Sequence, residues 1–297
     1  MPRALAARAF AALVLALAVG GCSSASSSGG KLQVVAAENF WGSLAAQLGG
    51  DRVKVTNIIH SPSADPHDYE PTAADARTMA GAKLAIVNGI GYDPWAPKLL
   101  KANPVDGRTV LTVGDIVGIP NGGNPHRWYS PTNVQQVIDA IVADYKRLDK
   151  DSAAYFDQQK AKLENQGLAR YKGLIASIKQ RYSGVPVGAS ESIFEPLAQG
   201  LGLKLMTPAG FLNAISEGTD PTAADRATTD SQIRSKQIKL WVYNSQNSTP
   251  DVKRLTEEAR AAGIAVATIT ETPTPASISF QDWQSRQLEE IEQALGQ

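Results

Sequence analysis

This 297-residue chain has one cysteine, Cys22, and three histidines, His60, His67 and His126. A lone thiol excludes an internal disulfide framework and any multi-cysteine zinc or iron–sulfur centre. So few imidazoles exclude a histidine-rich metal centre, so a metal site here has to borrow carboxylates. There is no charge of one sign either: 29 Lys+Arg balance 29 Asp+Glu. That balance argues against a nucleic-acid partner, because neutralising phosphates requires a basic surface. Beyond the N-terminus, no stretch approaches the roughly 20 consecutive apolar residues of a membrane-spanning helix.

The N-terminus reads as a targeting segment. Arg3 and Arg8 precede an apolar run over 10–19 that is too short to span a bilayer as a permanent helix. Val19-Gly20-Gly21-Cys22 follows, and it resembles a bacterial lipobox, in which the signal is cut before the cysteine and its thiol is acylated. The expectation is a signal peptide over 1–21, a lipid anchor at Cys22 and a flexible Ser/Gly tether over 22–30. Without the two signal arginines the mature chain carries 27 basic and 29 acidic residues.

From Lys31 onward, short apolar runs alternate with helical patterns, the signature of parallel sheets with crossover helices. Strands are expected at 32–36, 53–59, 84–87, 110–113, 185–189, 238–243 and 265–269. Helices are expected at 42–48, 131–148, 250–262 and 280–295. The second carries Val134, Val137, Ile138, Ile141, Val142, Tyr145 and Leu148 on one stripe. Ser279 is the expected cap of the last, with Trp283, Leu288, Ile291 and Leu295 facing inward.

The polar run 151–182 would extend about 45 Å as one helix. The fold class expected is therefore α/β. Two lobes, 31–145 and 183–297, each hold a mostly parallel sheet flanked by helices, and one long helix over 146–182 joins them. The alternative for that run is a solvent-facing pair of shorter helices, because Gly167 and Gly173 each cost about 1 kcal/mol in a helix interior.

The rare ligand-type residues sit just beyond expected strand ends. His67 lies in Asp65-Pro66-His67-Asp68-Tyr69-Glu70-Pro71 and His126 in Asn124-Pro125-His126-Arg127-Trp128. In both, a preceding proline with fixed φ limits the loop that presents the imidazole. Glu191 and Glu271 follow strands of the second lobe. Ligands of open α/β sheets bind at carboxyl strand ends, and two such ends facing one another make a cleft. Two neutral imidazoles and two carboxylates offset the charge of a divalent cation, and both ligand types suit zinc or manganese.

The chain resembles the cluster A-I metal-binding lipoproteins, the zinc or manganese solute-binding subunits of ABC importers. The stretches that carry the resemblance are 34–41 (VVAAENFW), 65–71 (DPHDYEP), 88–95 (NGIGYDPW), 124–128 (NPHRW), 190–203 (SESIFEPLAQGLGL) and 268–273 (TITETP). The resemblance covers 32–297 and includes the linking helix. It implies metal ligands at His67, His126, Glu191 and Glu271. The family's usual fourth ligand is Asp, so Glu271 is a departure of one methylene. It also implies one bound Zn2+ or Mn2+ as cargo, an ABC permease as partner, an extracytoplasmic location on the cell membrane through Cys22, and a monomer. The segment before His126 lacks the histidine-rich loop of many zinc members, and Glu at the third position leans toward manganese.

Several neighbouring residues invite other readings. Asn39 and Tyr69 are candidates for orienting the ligands from behind. His60 is read as structural, and Trp41, Trp95 and Trp128 as cleft-wall or core aromatics. Gly89-Ile90-Gly91 lacks the rest of a dinucleotide fingerprint, and the sequon Asn247-Ser248-Thr249 is discounted in a bacterial lipoprotein. The alternative function is an exported metallohydrolase, its metal held by the two histidines and one glutamate, with the other glutamate as general base. It requires an open coordination position, and the sequence has neither His-Glu-x-x-His nor a Gly-x-Ser-x-Gly elbow.

Overall fold

The structure is a computed structural model, and it describes residues 30–297. The expected signal peptide, Cys22 and all of the tether but Gly30 lie outside the described residues. Among these residues no helix is long and apolar enough to cross a membrane.

Among the described residues eight strands form two four-stranded sheets, every pair parallel. The first sheet holds β1 (Leu32–Glu38), β2 (Val53–Ile59), β3 (Leu84–Val87) and β4 (Thr109–Thr112) in the order β2-β1-β3-β4. The second holds β5 (Pro186–Ala189), β6 (Lys204–Leu205), β7 (Leu240–Asn244) and β8 (Ala265–Ile269) in the order β6-β5-β7-β8. Seven of the eight match an expected strand. The eighth, β6, has only two residues and so no period to read. β3 (LAIV) is buried along its whole length, as a strand covered on both faces must be.

The helices are α1 (Asn39–Gly49), α2 (Ala73–Ala80), α3 (Trp95–Ala102), α4 (Val113–Val117), α5 (Pro131–Leu148), α6 (Ala153–Lys162), α7 (Ala169–Tyr182), α8 (Glu195–Leu201), α9 (Ala209–Ser216), α10 (Ala223–Arg234), α11 (Pro250–Ala261) and α12 (Phe280–Leu295). The expected stripe of α5 is buried from Val134 to Tyr145, with Leu148 half-covered at its end. Ser279 caps α12, its hydroxyl accepting from Asp282 N at 3.2 Å. Helices α2 and α10 escape periodicity because they bury little, only Met79 in the first.

The expected single helix over 146–182 is a broken rod instead. Helix α5 runs on to Leu148, and Asp149 caps a 3-10 turn at Lys150–Ser152 before α6 begins. Between α6 and α7 lies a π-turn, Leu163–Gly167, closed by Leu168 N donating to Leu163 O at 2.7 Å. The π-turn takes up one surplus residue without ending the rod. A Cβ at Gly167 would lie 3.0 Å from Leu163 Cδ1. Helix α6 packs on α1 and α5 of the first half, and α7 on α8 and α12 of the second.

One hydrophobic cluster runs through both halves, joining Val34, Ile86 and Leu111 of the first sheet to Val187, Leu240 and Ile269 of the second through α5 and α12. Polar contacts reinforce the join. Ser43 Oγ of α1 accepts from Phe280 N at 2.9 Å, Gln47 and Gln281 exchange amide hydrogen bonds, and Tyr129 Oη donates to Thr270 O at 2.9 Å. Each half also has its own smaller cluster, one around Val35, Ile58 and Trp95, the other around Phe211, Trp241 and Leu255.

Candidate metal centre

The loops at the carboxyl ends of both sheets surround a cavity of about 250 Å³ whose walls include His67, His126, Glu191 and Glu271. All four expected ligands therefore border one space. His67, His126 and Glu271 each offer an atom within 4.8 Å of the others, although 204 residues separate His67 from Glu271. Glu191 is not in that tight group. Its Oε1 accepts from Asn244 Nδ2 at 2.6 Å, and the same nitrogen donates to Glu271 Oε2 at 3.0 Å, so one amide stands between the two carboxylates. A second opening of about 520 Å³ shares Asp65, His67 and His126 and is lined further out by Glu195 and Glu217.

Local structure fixes each side chain. The loop of His67 is pinned by Asp65 Oδ1, which accepts from His67 N at 2.9 Å, and Trp95 Nε1 donates to Pro66 O at 3.1 Å. Burial lowers the His67 pKa, with the neighbouring Glu271 charge opposing, and that direction favours the neutral ring that metal binding requires. His126 is 1% exposed, and Asn124 Oδ1 sits 2.9 Å from its Nδ1. That acceptor selects the tautomer with hydrogen on Nδ1 and turns the Nε2 lone pair toward the cavity. His126 Nε2 lies 3.4 Å from Glu271 Oε1. Asn124 Nδ2 also donates to Ser192 O at 2.7 Å and Glu195 Oε2 at 2.8 Å, tying this loop to the other half. On the opposite side Gln246 Nε2 donates to Pro62 O at 2.8 Å.

Glu271 accepts from Tyr92 Oη at 2.9 Å. Although burial pushes its pKa up, the positive charge that His126 and His67 carry when protonated, together with the Tyr92 hydroxyl, brings it below the usual carboxylate value. Glu191 goes the other way: burial and the Glu271 charge raise its pKa, against the Asn244 and Asn247 donors. Two carboxylates facing one cavity with opposed shifts are a pair that a dication would discharge together.

Tyr92 is placed by a strained turn. Gly89, Ile90 and Gly91 all have positive φ, at 71°, 61° and 86°. For a β-branched residue such as Ile90 this is costly, about 1–3 kcal/mol. Asp93 holds the turn, its carboxylate accepting from Asn88 N and Gly89 N at 2.8 Å each. Burial raises the Asp93 pKa to about 6, and burial with the nearby Asp93 charge raises that of Glu38 beneath it. The glycines thus serve a turn that aims a tyrosine rather than a phosphate loop.

Among the expected supporting residues, Tyr69 points elsewhere: its hydroxyl donates to Asp75 Oδ2 at 2.9 Å at the start of α2 and its ring packs on Trp95. The Thr72–Asp75 capping box at the start of α2 holds the carboxylate that takes this bond. Asn39 is buried with no hydrogen bond on its side-chain amide among the described residues, so it orients none of the candidate ligands by that means. The residues whose side chains hydrogen-bond the side chains of the candidate ligands are Tyr92, Asn124, Asn244 and Asn247. Tyr92 and Asn124 lie inside motif stretches already singled out. Asn247 was set aside as a sequon, and Asn244 has no local signal. Trp41 and Trp128 are fully buried, as read from the sequence, and His60 bonds the carbonyl of Ile58 in its own segment.

Among solved structures, the Mn-bound periplasmic metal binding protein of Candidatus Liberibacter asiaticus has the same fold, with a TM-score of 0.73 at 23% identity over 89% of this chain and 100% of that one. Among curated proteins, the manganese-binding lipoprotein MntA of Halalkalibacterium halodurans is 29% identical over 50% of this chain and 51% of its own. The zinc-binding lipoprotein AdcA of Streptococcus pneumoniae is 24% identical over 96% of this chain and 60% of its own. The chain thus spans about half to three fifths of the length of these two relatives. The family model described as zinc-uptake complex component A, periplasmic, matches residues 34–294, and its span takes in both sheets, the π-broken rod and every wall of the cavity. The protein belongs to that family.

Proposed function

We propose that this chain captures one divalent transition-metal ion, Zn2+ or Mn2+, and delivers it to an ABC permease. His67, His126, Glu191 and Glu271 are its ligands, two from each of two lobes, 31–145 and 183–297, joined through 146–182. The observation that carries the proposal is the meeting of His67, His126 and Glu271 within 4.8 Å from three distant parts of the chain. Two neutral imidazoles with at least one carboxylate make a donor set for zinc or manganese. Relatives named for zinc and for manganese support either cargo, and membership of an uptake family supports transport over a metallohydrolase built on two histidines and a glutamate. The relatives' names as lipoproteins support an extracytoplasmic location with the anchor at Cys22, where the chain acts as a monomer.

Loading follows from the donors. The cation loses water as neutral His67 and His126 and charged Glu271 take it, and Glu191 completes the shell from the other side of the cavity. The shared core limits the accompanying movement of the two halves to loops and a small tilt. The test is to purify residues 23–297, measure bound metal, and titrate Zn2+ and Mn2+ in competition with a chromogenic chelator. One ion per chain is expected, with binding lost in the His67→Ala/Glu191→Ala double variant. Binding unaffected by that variant overturns the ligand set, and the absence of any stoichiometric metal overturns the function.

A further inference from the structure

The turn that carries Tyr92 rests on a pair of buried carboxyl groups, neither of which lines the metal cavity or the second opening. Glu38, the last residue of β1, is 0% exposed, and Asp93, directly after Tyr92, is 1% exposed. Asp93 is committed as an acceptor, Oδ2 taking Asn88 N and Oδ1 taking Gly89 N at 2.8 Å each. The two carboxyl groups are hydrogen-bonded to one another. No N–H or O–H among the described residues forms a hydrogen bond to either oxygen of Glu38.

That arrangement decides where the proton sits. Ionised, Glu38 would be a buried charge without a donor, set against a second carboxylate, and a group so placed keeps its proton instead. The negative charge belongs on Asp93, which has two backbone N–H groups to hold it. Burial, then the Asp93 charge, pushes the Glu38 pKa well up, and its own backbone N–H, the least of these influences, opposes. We infer that Glu38 is a positioning residue: as a neutral carboxylic acid it donates to Asp93 and so fixes the turn that aims Tyr92 at Glu271. The anchor is rigid, because β1 lies inside the first sheet with β2 and β3 on either side. The turn needs one, since Gly89, Ile90 and Gly91 all have positive φ and the Tyr92 hydroxyl must end 2.9 Å from Glu271 Oε1. The fully buried acid thus serves the site from behind without touching its cavity.

The effect on metal rests on the capture reading above, while the proton on Glu38 is tested without it. Glu38→Gln keeps a donor for Asp93 and Glu38→Met removes it. Zinc and manganese affinities, read by chelator competition, should hold in Glu38→Gln and fall about tenfold in Glu38→Met, the size of effect usual for groups that orient metal ligands. In a Tyr92→Phe background Glu38→Met should cost little more, which separates aiming of Tyr92 from general loosening. The proton is read from urea unfolding with metal chelated. Glu38 keeps when folded a proton that it releases on unfolding. The unfolding constant of the unmodified chain should therefore rise about tenfold per pH unit relative to that of Glu38→Gln from about pH 7 to 8. Asp93, with its pKa of about 6, is ionised across that window and buried Tyr92 is neutral, so neither group facing Glu38 adds a slope. Parallel pH dependence in the two chains overturns the inference, as does Glu38→Gln binding metal as poorly as Glu38→Met, or full additivity with Tyr92→Phe. If the unmodified chain binds no metal, metal capture falls and the pH slope alone decides the proton. Should Glu38→Met fail to fold, the affinity and pH slope of Glu38→Gln decide.

Discussion

Replacing Tyr92 by Phe removes a single oxygen and leaves the ring in place. The ring is fully buried, its centroid 4.7 Å from that of His67 and 4.8 Å from that of Trp128, so packing alone retains it. What is lost is the hydroxyl donated to Glu271 Oε1 at 2.9 Å. Burial and the Glu271 charge raise the phenol's pKa well above its usual value, so it is always a donor and never a competing anion. A hydrogen bond to a charged acceptor contributes about 1.5–3 kcal/mol. Glu271 keeps the amide of Asn244 at 3.0 Å, which restrains its other oxygen, so the lower end applies. The expected loss of zinc or manganese affinity is about tenfold, read by competition with a chelator of known affinity. A double-mutant cycle with Glu271→Gln isolates the route: if Tyr92 acts through Glu271, Tyr92→Phe should cost nothing further in the Glu271→Gln background. Unchanged affinity in the single variant, or full additivity in the double, would refute the reasoning.

Other perturbations have equally definite outcomes. Acidification should weaken metal binding, because protons compete for the imidazole lone pairs. The sign is a loss of affinity as pH falls through and below about 6.5, starting lower at His67, whose pKa burial depresses; affinity flat from pH 7.5 to 5 would exclude histidine ligation. Because Glu191 has a raised pKa, metal binding near neutral pH should also release a proton from it. Calorimetry in buffers of different ionisation enthalpy should show less release in Glu191→Gln, and equal release would count against Glu191 as a ligand. Gly42→Ala should destabilise the fold by about 1–3 kcal/mol in urea unfolding, since its Cβ would fall 1.7 Å from Asn57 Oδ1. X-ray scattering should show nearly the same radius of gyration with and without metal, as the core common to both halves requires. A rotation of tens of degrees between the halves would contradict that.

Much of this protein was readable in one dimension because its signals are local. Strand runs such as 84–87, the α5 stripe and the Ser279 cap depend on neighbours within a few residues. A proline ahead of each candidate ligand histidine is likewise a local device. The lone cysteine and three histidines limited the metal chemistry before any folding was considered. Tertiary structure decided the rest. The break at Leu163–Gly167 depends on how α6 and α7 must meet different halves, which a polar run cannot announce. Glu191, which lies outside the tight group of the other three candidates, is held by Asn244 and Asn247, 53 and 56 residues away. Which amide faces which carboxylate is fixed by loops from separate strands closing on one cavity. Sequence thus determined which donor atoms are available, while only folding determined how many can reach a single ion, because that number depends on long-range hydrogen bonds.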